Sequence, residues 1–531
     1  MESPATSAAN DVDSALQRHA GSPQKPRTAS ARHLPSIGID RYAERVLGCW
    51  RGKAVGGTLG QSFEGLDGPI VADFYFPVPD GMVPNDDLDV QVVYAAVIAA
   101  LEHPRIDRLV IAQAWRDHLR FPWNEYGVGK RNLAEGILPP HTGEFDNWFS
   151  AGEGAVIRTE LWACLAPGDP RRAAAYAYED ACFDHSGDGI WAAVFMAALQ
   201  SLAFVETDVD VLLDRASELL PVTSKIRQVV HDTRVWVAEN ESWQDVLGLI
   251  TAKYGSSDFT DTRPNTGYVV LGLLASGGDF ERAILITNGC GGDTDSTTAS
   301  LGALLAIVDP DCIPARWLEP IGDDLILNKE VVGVSAPATI LEFTDQVVAL
   351  RDTLTDVWPE VEDEPFDPSQ YAIPVTVGWA SPYGLPWGIR DASGLAPEGA
   401  PEPEMPANAT PRTVPGTWIR WKASDFEDLI LVIEYTMHLD HEVDGRLMFN
   451  SSEHIRVWLD GEYLFGSQPS LLFPTQHRPP AAQGKDVKLA AGEHSLRVTI
   501  LKPPAEREYA EWVVSLAENP VLDWVPGAFR P

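Results

Sequence analysis

Hydrophobic positions along the chain obey two different periods. From about residue 37 to residue 350 apolar residues recur every three to four positions, the spacing of α-helices with a buried face. The stretch "DRYAERVLGCWRGKAVGGTLG", Asp40 to Gly60, shows that period with a polar side. The stretch "DLDVQVVYAAVIAALEH", from Asp87, is apolar over most of its surface and is expected at the centre of the fold. "RVLGCWRGKAVGG", "GIWAAVFMAALQSLAF" and "TASLGALLAIV" all place Gly, Ala or Ser among the apolar residues, which lets helices approach closely. No convincing run of alternating strands interrupts them, so the pattern predicts one large all-α domain.

From about Thr417 the period becomes two. "TWIRWKAS", "LILVIEYTM", "GRLMFNSSEHIRVWLDGEYLF", "DVKLAAGEHSLRVTILK" and "EYAEWVVSLAE" read as strands, with "LDGE" and "AAGEH" as hairpin turns. In the fourth of these Leu496, Val498 and Ile500 are expected to face a core and Arg497 and Thr499 to face outward. This predicts a small all-β domain of sandwich type over 417–531. Between the two, 351–416 is rich in proline and acid and reads as a linker, although "YAIPVTVGWASPYGLPWGI" within it is a candidate strand. Residues 1–36, rich in Ser, Ala, Pro and Gln, are expected to form a disordered leader. The aromatic residues Trp458, Tyr463 and Trp512 raise two readings, sandwich core or a stacking surface for carbohydrate.

Composition narrows the function. The 531 residues carry a formal net charge of −37, which repels nucleic-acid phosphates and anionic lipid, so neither nucleic acid nor membrane is an expected partner. Five cysteines with no C-x-x-C pair give neither a disulfide framework nor a thiolate metal site. No apolar run reaches the roughly 18 residues that span a bilayer, and the N-terminus lacks the apolar core of a signal peptide. A cytoplasmic protein is the expectation.

Two acidic clusters each stand at the start of an apolar helix: "PNDDLDVQVVY", with Asn85, Asp86, Asp87 and Asp89, and "GGDTDSTTA", with Asp293, Asp295 and Ser296. Taken singly, each satisfies the free N–H groups of a helix N-terminus. Taken together on two interior helices, they crowd carboxylates that would raise one another's pKa unless cations lay between them. An all-oxygen set without cysteine or paired histidine suits Mg²⁺, or Mn²⁺, rather than zinc.

These residues resemble the ADP-ribosylglycohydrolase family, in its dinitrogenase-reductase-activating and crystallin-like branches. The resemblance is carried by "GCWRGKAVGGTLGQSFEG", "NDDLDVQ", "TRPNTGYVVLGLLASGGDFERAI" and "NGCGGDTDSTTASLGALLA", in the family's order, and spans about 37–350. It implies an all-α catalytic domain, two bound Mg²⁺ ions, and hydrolysis at the anomeric carbon of an ADP-ribosyl group on a protein or small molecule. By the same resemblance Asp86 and Asp87, with Asn85 in place of the usual Thr, form one ligand set. Asp293, Asp295 and Ser296, again in place of a Thr, form the other. Glu64, Asp87 or Asp295 would orient or deprotonate the attacking water. Gly152 and Gly154 of "AGEGAVIR", His185 of "DHSGDGIWAA", and Gly291 and Gly292 would lie near substrate. Gln91 matches a frequent family glutamine, and Asp89 reads as local charge balance. The chain departs from the family's G-D-A-L-G at Gly57, where an acid is missing, and at Asn85. Two alternatives therefore stay open: a hydrolase of another glycoside or nucleoside on this scaffold, and a non-catalytic crystallin-like binding protein.

Overall fold

The computed structural model describes residues 39–240, 242–354, 365–381, 396–469 and 483–530. The leader expected over 1–36 lies outside the described residues. Helices occupy the chain up to Thr353, and strands begin at Ile373. We number the helices that build the site: α1 (Ile39–Gly60), α2 (Asp86–Ala99), α3 (Asn124–Ala134), α4 (Asp188–Ala203), α5 (Thr262–Ala275), α6 (Phe280–Gly289), α7 (Thr294–Val308) and α8 (Ile340–Thr353).

The pair α1 and α7 is the axis of the helical domain. Gly48, Gly52, Gly56 and Gly60 form one stripe on α1. A Cβ at these positions would lie 2.6, 2.3, 2.2 and 2.2 Å from the carbonyl oxygens of Ala306, Gly302, Thr298 and Thr294. The helices therefore run antiparallel with backbones touching, and any side chain larger than hydrogen would force them apart. The hydroxyl of Thr294 donates to the carbonyl of Gly60 at 2.8 Å and closes the end of the pair. α4, apolar on all sides, runs through the same core, and its residues from Ala192 to Ala203 are buried. Trp50, Trp115, Trp162 and Trp317 are fully enclosed.

The second domain is an antiparallel sandwich. Its strands are β1 (Ile373–Ala380), β2 (Thr410–Val414), β3 (Trp418–Lys422), β4 (Ile430–Leu439), β5 (Val443–Ser451), β6 (Ile455–Leu459), β7 (Glu462–Ser467), β8 (Gly484–Leu489), β9 (Gly492–Leu501), β10 (Tyr509–Glu518) and β11 (Asp523–Trp524). One sheet runs β2-β1-β4-β9-β6-β7 and the other β11-β10-β5-β8, with β3 also paired to β10. Leu496, Val498 and Ile500 do enter the core between the sheets.

The structure corrects two expectations and decides a third question. The stretch 351–416 is not merely a linker: β1 and β2 lie within it and belong to the first sheet. Thr499 is buried rather than outward. The chain around Ala396–Met405 covers the outer face of that sheet, packing with Trp458, Ile430 and Val432. Arg497 is held on the same face by Glu434 and by the carbonyl of Pro403. Trp458 and Trp512 are fully buried, the one donating to the carbonyl of Ala400 and the other to the Tyr435 hydroxyl. Both are core residues, as strand aromatics usually are, and neither presents a ring to a sugar.

The sandwich docks on α3 and the loop that follows it. Asp146 accepts bonds from the backbone N–H groups of Thr417 and Trp418, both at 2.8 Å, and from the Thr417 hydroxyl at 2.7 Å. Lys130 pairs with Asp523 at 2.6 Å, and Glu135 pairs with Arg530. Val128, Trp148, Phe149, Val513 and Trp524 form one apolar cluster across the boundary.

Candidate functional site

The N-termini of α2 and α7 open onto one cleft of about 220 Å³, walled by the loop after α1 and by the start of α3. Asn85 is the N-cap of α2, and its side-chain oxygen accepts the Asp87 amide at 2.8 Å. That bond aims Asp86 and Asp87 at the cleft, which both line. Among the described residues nothing donates a hydrogen bond to the Asp86 carboxylate. Asp87 instead meets the ammonium of Lys53, 3.3 Å away.

The second cluster is placed by a tight turn. Gly291 and Gly292 take positive φ values of 76° and 73°, which side chains resist, and so carry the chain from α6 into α7. Gly292 exchanges backbone bonds with the loop after α1: Gly65 donates to Gly292, and Gly292 to Leu66, each at 2.9 Å. This short ladder brings Glu64 to Asp293 and Asp295, and one oxygen of each of the three carboxylates lies within 4.8 Å of the others. On the far side Asn265, in the first turn of α5, accepts the Asp293 amide at 3.2 Å. The Ser296 hydroxyl donates to Asp293 at 2.9 Å. One oxygen of Asp295, Oδ1, is buried without a hydrogen-bond partner.

The electrostatic consequence follows from burial. Desolvation, then Asp87 and Asp295, hold the Asp86 carboxyl well above the usual carboxylate range. Asp293 is raised in the same way by burial and by Asp295. Burial, Glu64 and Asp87 push Asp295 up to about 7. Asp87 is pushed by burial only to about 6, because Lys53 opposes the rise. Such a set is uncomfortable on its own and is relieved by a hard cation. The orphaned Asp295 oxygen and the all-oxygen donors Glu64, Asp293 and Asp295 fit a divalent ion of the Mg²⁺ type.

The structure places the remaining expected residues less directly. Gly154 lines the cleft, but Gly152 does not. Both glycines make room for a carboxylate that the sequence did not reveal. A Cβ on Gly154 would lie 2.2 Å from Glu125 Oε1, and one on Gly152 would lie 2.8 Å from Oε2. The Gly154 amide donates to Glu125 at 3.0 Å. Glu125 lines the cleft, and its Oε2 has no hydrogen-bond partner. His185 is fully buried behind it, with Nε2 3.5 Å from Glu125 and Nδ1 2.6 Å from Asp184. Burial alone would lower the His185 pKa, but Asp184 and Glu125 outweigh it and raise it to about 9. Asp184 is clamped in turn by Arg158, which also holds Asp180. Asp89 is buried and accepts two bonds from Asn328, while Gln91 bridges the backbone of Asp87 to Glu160.

Sequence reasoning also missed Trp123, Asn124 and Tyr126 at the start of α3, Phe259 and Thr260, Gln61, and Asn328. The sequence signal for Glu125 is indirect: the paired glycines of "AGEGAVIR" are the mould of its carboxylate.

The sequence model of the ADP-ribosylglycohydrolase family matches residues 39–355. The chain belongs to that family. It is therefore a member of a hydrolase family that acts on ADP-ribosylated substrates and generally depends on divalent metal. Among solved structures it is similar to one described as an "ADP-ribosylglycohydrolase-related protein complex", at 18% identity and a TM-score of 0.42, over 60% of this chain and 100% of that one. No curated protein matches the chain. The family match ends at residue 355, just past the last helix of the helical domain, and does not include the sandwich.

Proposed function

We propose that the chain is a Mg²⁺-dependent hydrolase of the bond at the anomeric carbon of an ADP-ribosyl or related ribosyl group. The observation that carries this reading is the meeting of Glu64, Asp293 and Asp295 within 4.8 Å at the floor of a cleft, with an Asp295 oxygen left without a partner. A bound divalent ion would supply Lewis acidity, fixing ribose hydroxyls and lowering the pKa of a water. The protein groups do the rest. Asp293 and Asp295 hold the ligand oxygens on a rigid helix start, and Ser296 orients Asp293. Glu64 orients the attacking water from the loop side. Glu125, across the cleft, keeps Oε2 without a partner and so available to accept a hydrogen bond from substrate or water. Trp123, Tyr126 and Phe259 give the cleft flat apolar walls suited to a sugar or base.

A neighbouring reading is a hydrolase of a different riboside. Asn85 and Gly57, two of the departures from the family motif, are neighbours: a Cβ on Gly57 would lie 2.9 Å from Asn85 Nδ2. The change at one position thus accommodates the other. A panel of ADP-ribosyl-arginine, ADP-ribosyl-serine, O-acetyl-ADP-ribose, nucleosides and furanosides, assayed with Mg²⁺ and with chelator, separates the two. The variant Asp293→Ala should keep its fold and lose Mg²⁺ affinity and at least about a thousandfold in kcat/KM, or about 4 kcal/mol of transition-state stabilisation. Unchanged turnover in that variant would refute the scheme.

A further inference from the structure

Lys53 has no counterpart in the chemistry so far described. It sits on α1 beside the glycine stripe, with its side chain 1% exposed. Its Nζ lies 3.3 Å from Asp87 Oδ2 and 3.2 Å from Glu160 Oε2. Glu160 is fixed from the other side, accepting Gln91 Nε2 at 3.0 Å and Gln200 Nε2 at 2.9 Å. The lysine is held there by its enclosure and its two carboxylate partners, on a helix that is itself packed backbone against backbone on α7. One turn further along α1, Gly57 brings no acid. α1 therefore delivers one fixed positive charge to the back of the cleft and no negative one.

This divides the two acidic clusters. Glu64, Asp293 and Asp295 converge, and among the described residues no cation is paired with Asp293 or Asp295. Asp87 already has its cation, and neither it nor Asp86 belongs to the converging group. A second divalent ion at Asp87 would have to sit beside a buried ammonium held in place, with like charges repelling in a medium that screens poorly.

We propose that Lys53 is a resident cation which takes the place of one of the two metal ions implied by the family resemblance. The site then loads a single divalent ion at Glu64, Asp293 and Asp295, with Asp86 facing it and Asp87 retained as the partner of Lys53. The inference rests on the reading of the cleft as a divalent-cation site, and the test keeps the two apart. Metal-free full-length protein is titrated with Mn²⁺ alone, with stoichiometry read by calorimetry and spin coupling by electron paramagnetic resonance. One Mn²⁺ per chain with an uncoupled signal is expected. Lys53→Met leaves Asp87 and Glu160 needing a cation and should raise the count to two, with a coupled pair. If that variant fails to fold, the double variant Lys53→Met/Glu160→Gln, which removes one of the stranded charges, carries the same expectation. Two ions in the unaltered protein, or one in both proteins, overturns the role of Lys53. No Mn²⁺ bound to the unaltered protein overturns the metal-dependent reading itself.

Discussion

Between the two sheets of the sandwich Ile433, Tyr435, Phe449, Leu496, Val498, Trp512 and Val514 fill the interior with hydrocarbon and rings. The interior of the helical domain is as deeply enclosed, yet it holds Lys53, Asp87, Arg158, Glu160, Asp180 and Asp184. A core of the first kind gains free energy from burial without depending on protons or bound cations. A core of the second kind is stable only while its charges are matched, since an unpaired buried charge costs several kcal/mol. The sandwich is thus built to be indifferent to pH and metal. The helical domain stores a set of groups whose comfort depends on protons and cations, as an active site requires.

The comparison is tested most strongly by pH. Burial pushes Asp295 and Asp89 up to about 7 and Glu153 up to about 8. A carboxyl whose folded-state pKa is raised binds its proton more tightly in the folded chain than in the unfolded one. Its contribution is therefore fully present below about pH 4 and is lost as pH rises through 7 and 8. The His185 pair with Asp184 and Glu125 acts in the same direction, its contribution fading as pH passes about 9. In metal-free protein the helical domain should lose on the order of 5 kcal/mol between pH 5 and pH 9. The sandwich transition should move little. Mg²⁺ should restore the helical transition more at pH 8 than at pH 5. Calorimetry across this range checks it, and a flat profile without metal would break the contrast.

The second test reverses the roles. Trp512→Ala removes a fully buried ring and its bond to Tyr435, and should cost the sandwich about 3–5 kcal/mol. The Mn²⁺ affinity of the folded fraction should not change. A loss of carbohydrate binding without a loss of stability would instead show that the aromatic residues are a surface, contrary to their burial.

These contrasts bear on what a sequence can reveal. The clusters at Asp86–Asp87 and Asp293–Asp295 were legible because charge at the mouth of an apolar helix is locally anomalous. The strands from Ile430 onward were legible because one side of each strand alternates into the core. β1 and β2 were harder, since proline-rich and acidic neighbours surround them, and only pairing with β4 makes the first of them a central strand. Thr499 was misread because the covering chain around Ala396–Met405 is distant in sequence and closes over a face that alternation alone assigns to solvent. Glu125 and Tyr126 were invisible for a related reason. Nothing in "PWNEYGVG" marks an acid as special, and the cleft acquires them only because the fold carries α3 to the site. His185 stands out in the sequence, but its depth does not: the fold buries it behind Glu125, against Asp184.

The finest test asks where the sandwich ends and the site begins. Trp524, on the short strand β11, packs in the cluster with Val128 and Trp148, and its indole N–H donates to the carbonyl of Pro122 at 3.2 Å. Pro122 immediately precedes Trp123, Asn124, Glu125 and Tyr126, which form one wall of the cleft. Trp524→Phe keeps an aromatic ring but deletes that bond and leaves the Pro122 carbonyl less well satisfied. It should cost about 1–2 kcal/mol of stability. If the sandwich holds this wall in place, the same variant should raise KM several-fold for whichever substrate of the panel the unaltered protein turns over, because a misplacement of substrate-facing groups by a fraction of an ångström is felt in binding. Mn²⁺ affinity should stay unchanged, since Glu64, Asp293 and Asp295 hang from other elements. Arg234→Ala, on a surface ion pair with Asp210 and Asp214, is the control for a small general loss of stability. An unchanged KM in Trp524→Phe would make the two domains energetically joined but functionally separate. A raised KM beside an intact metal site would make the sandwich part of the substrate-binding wall.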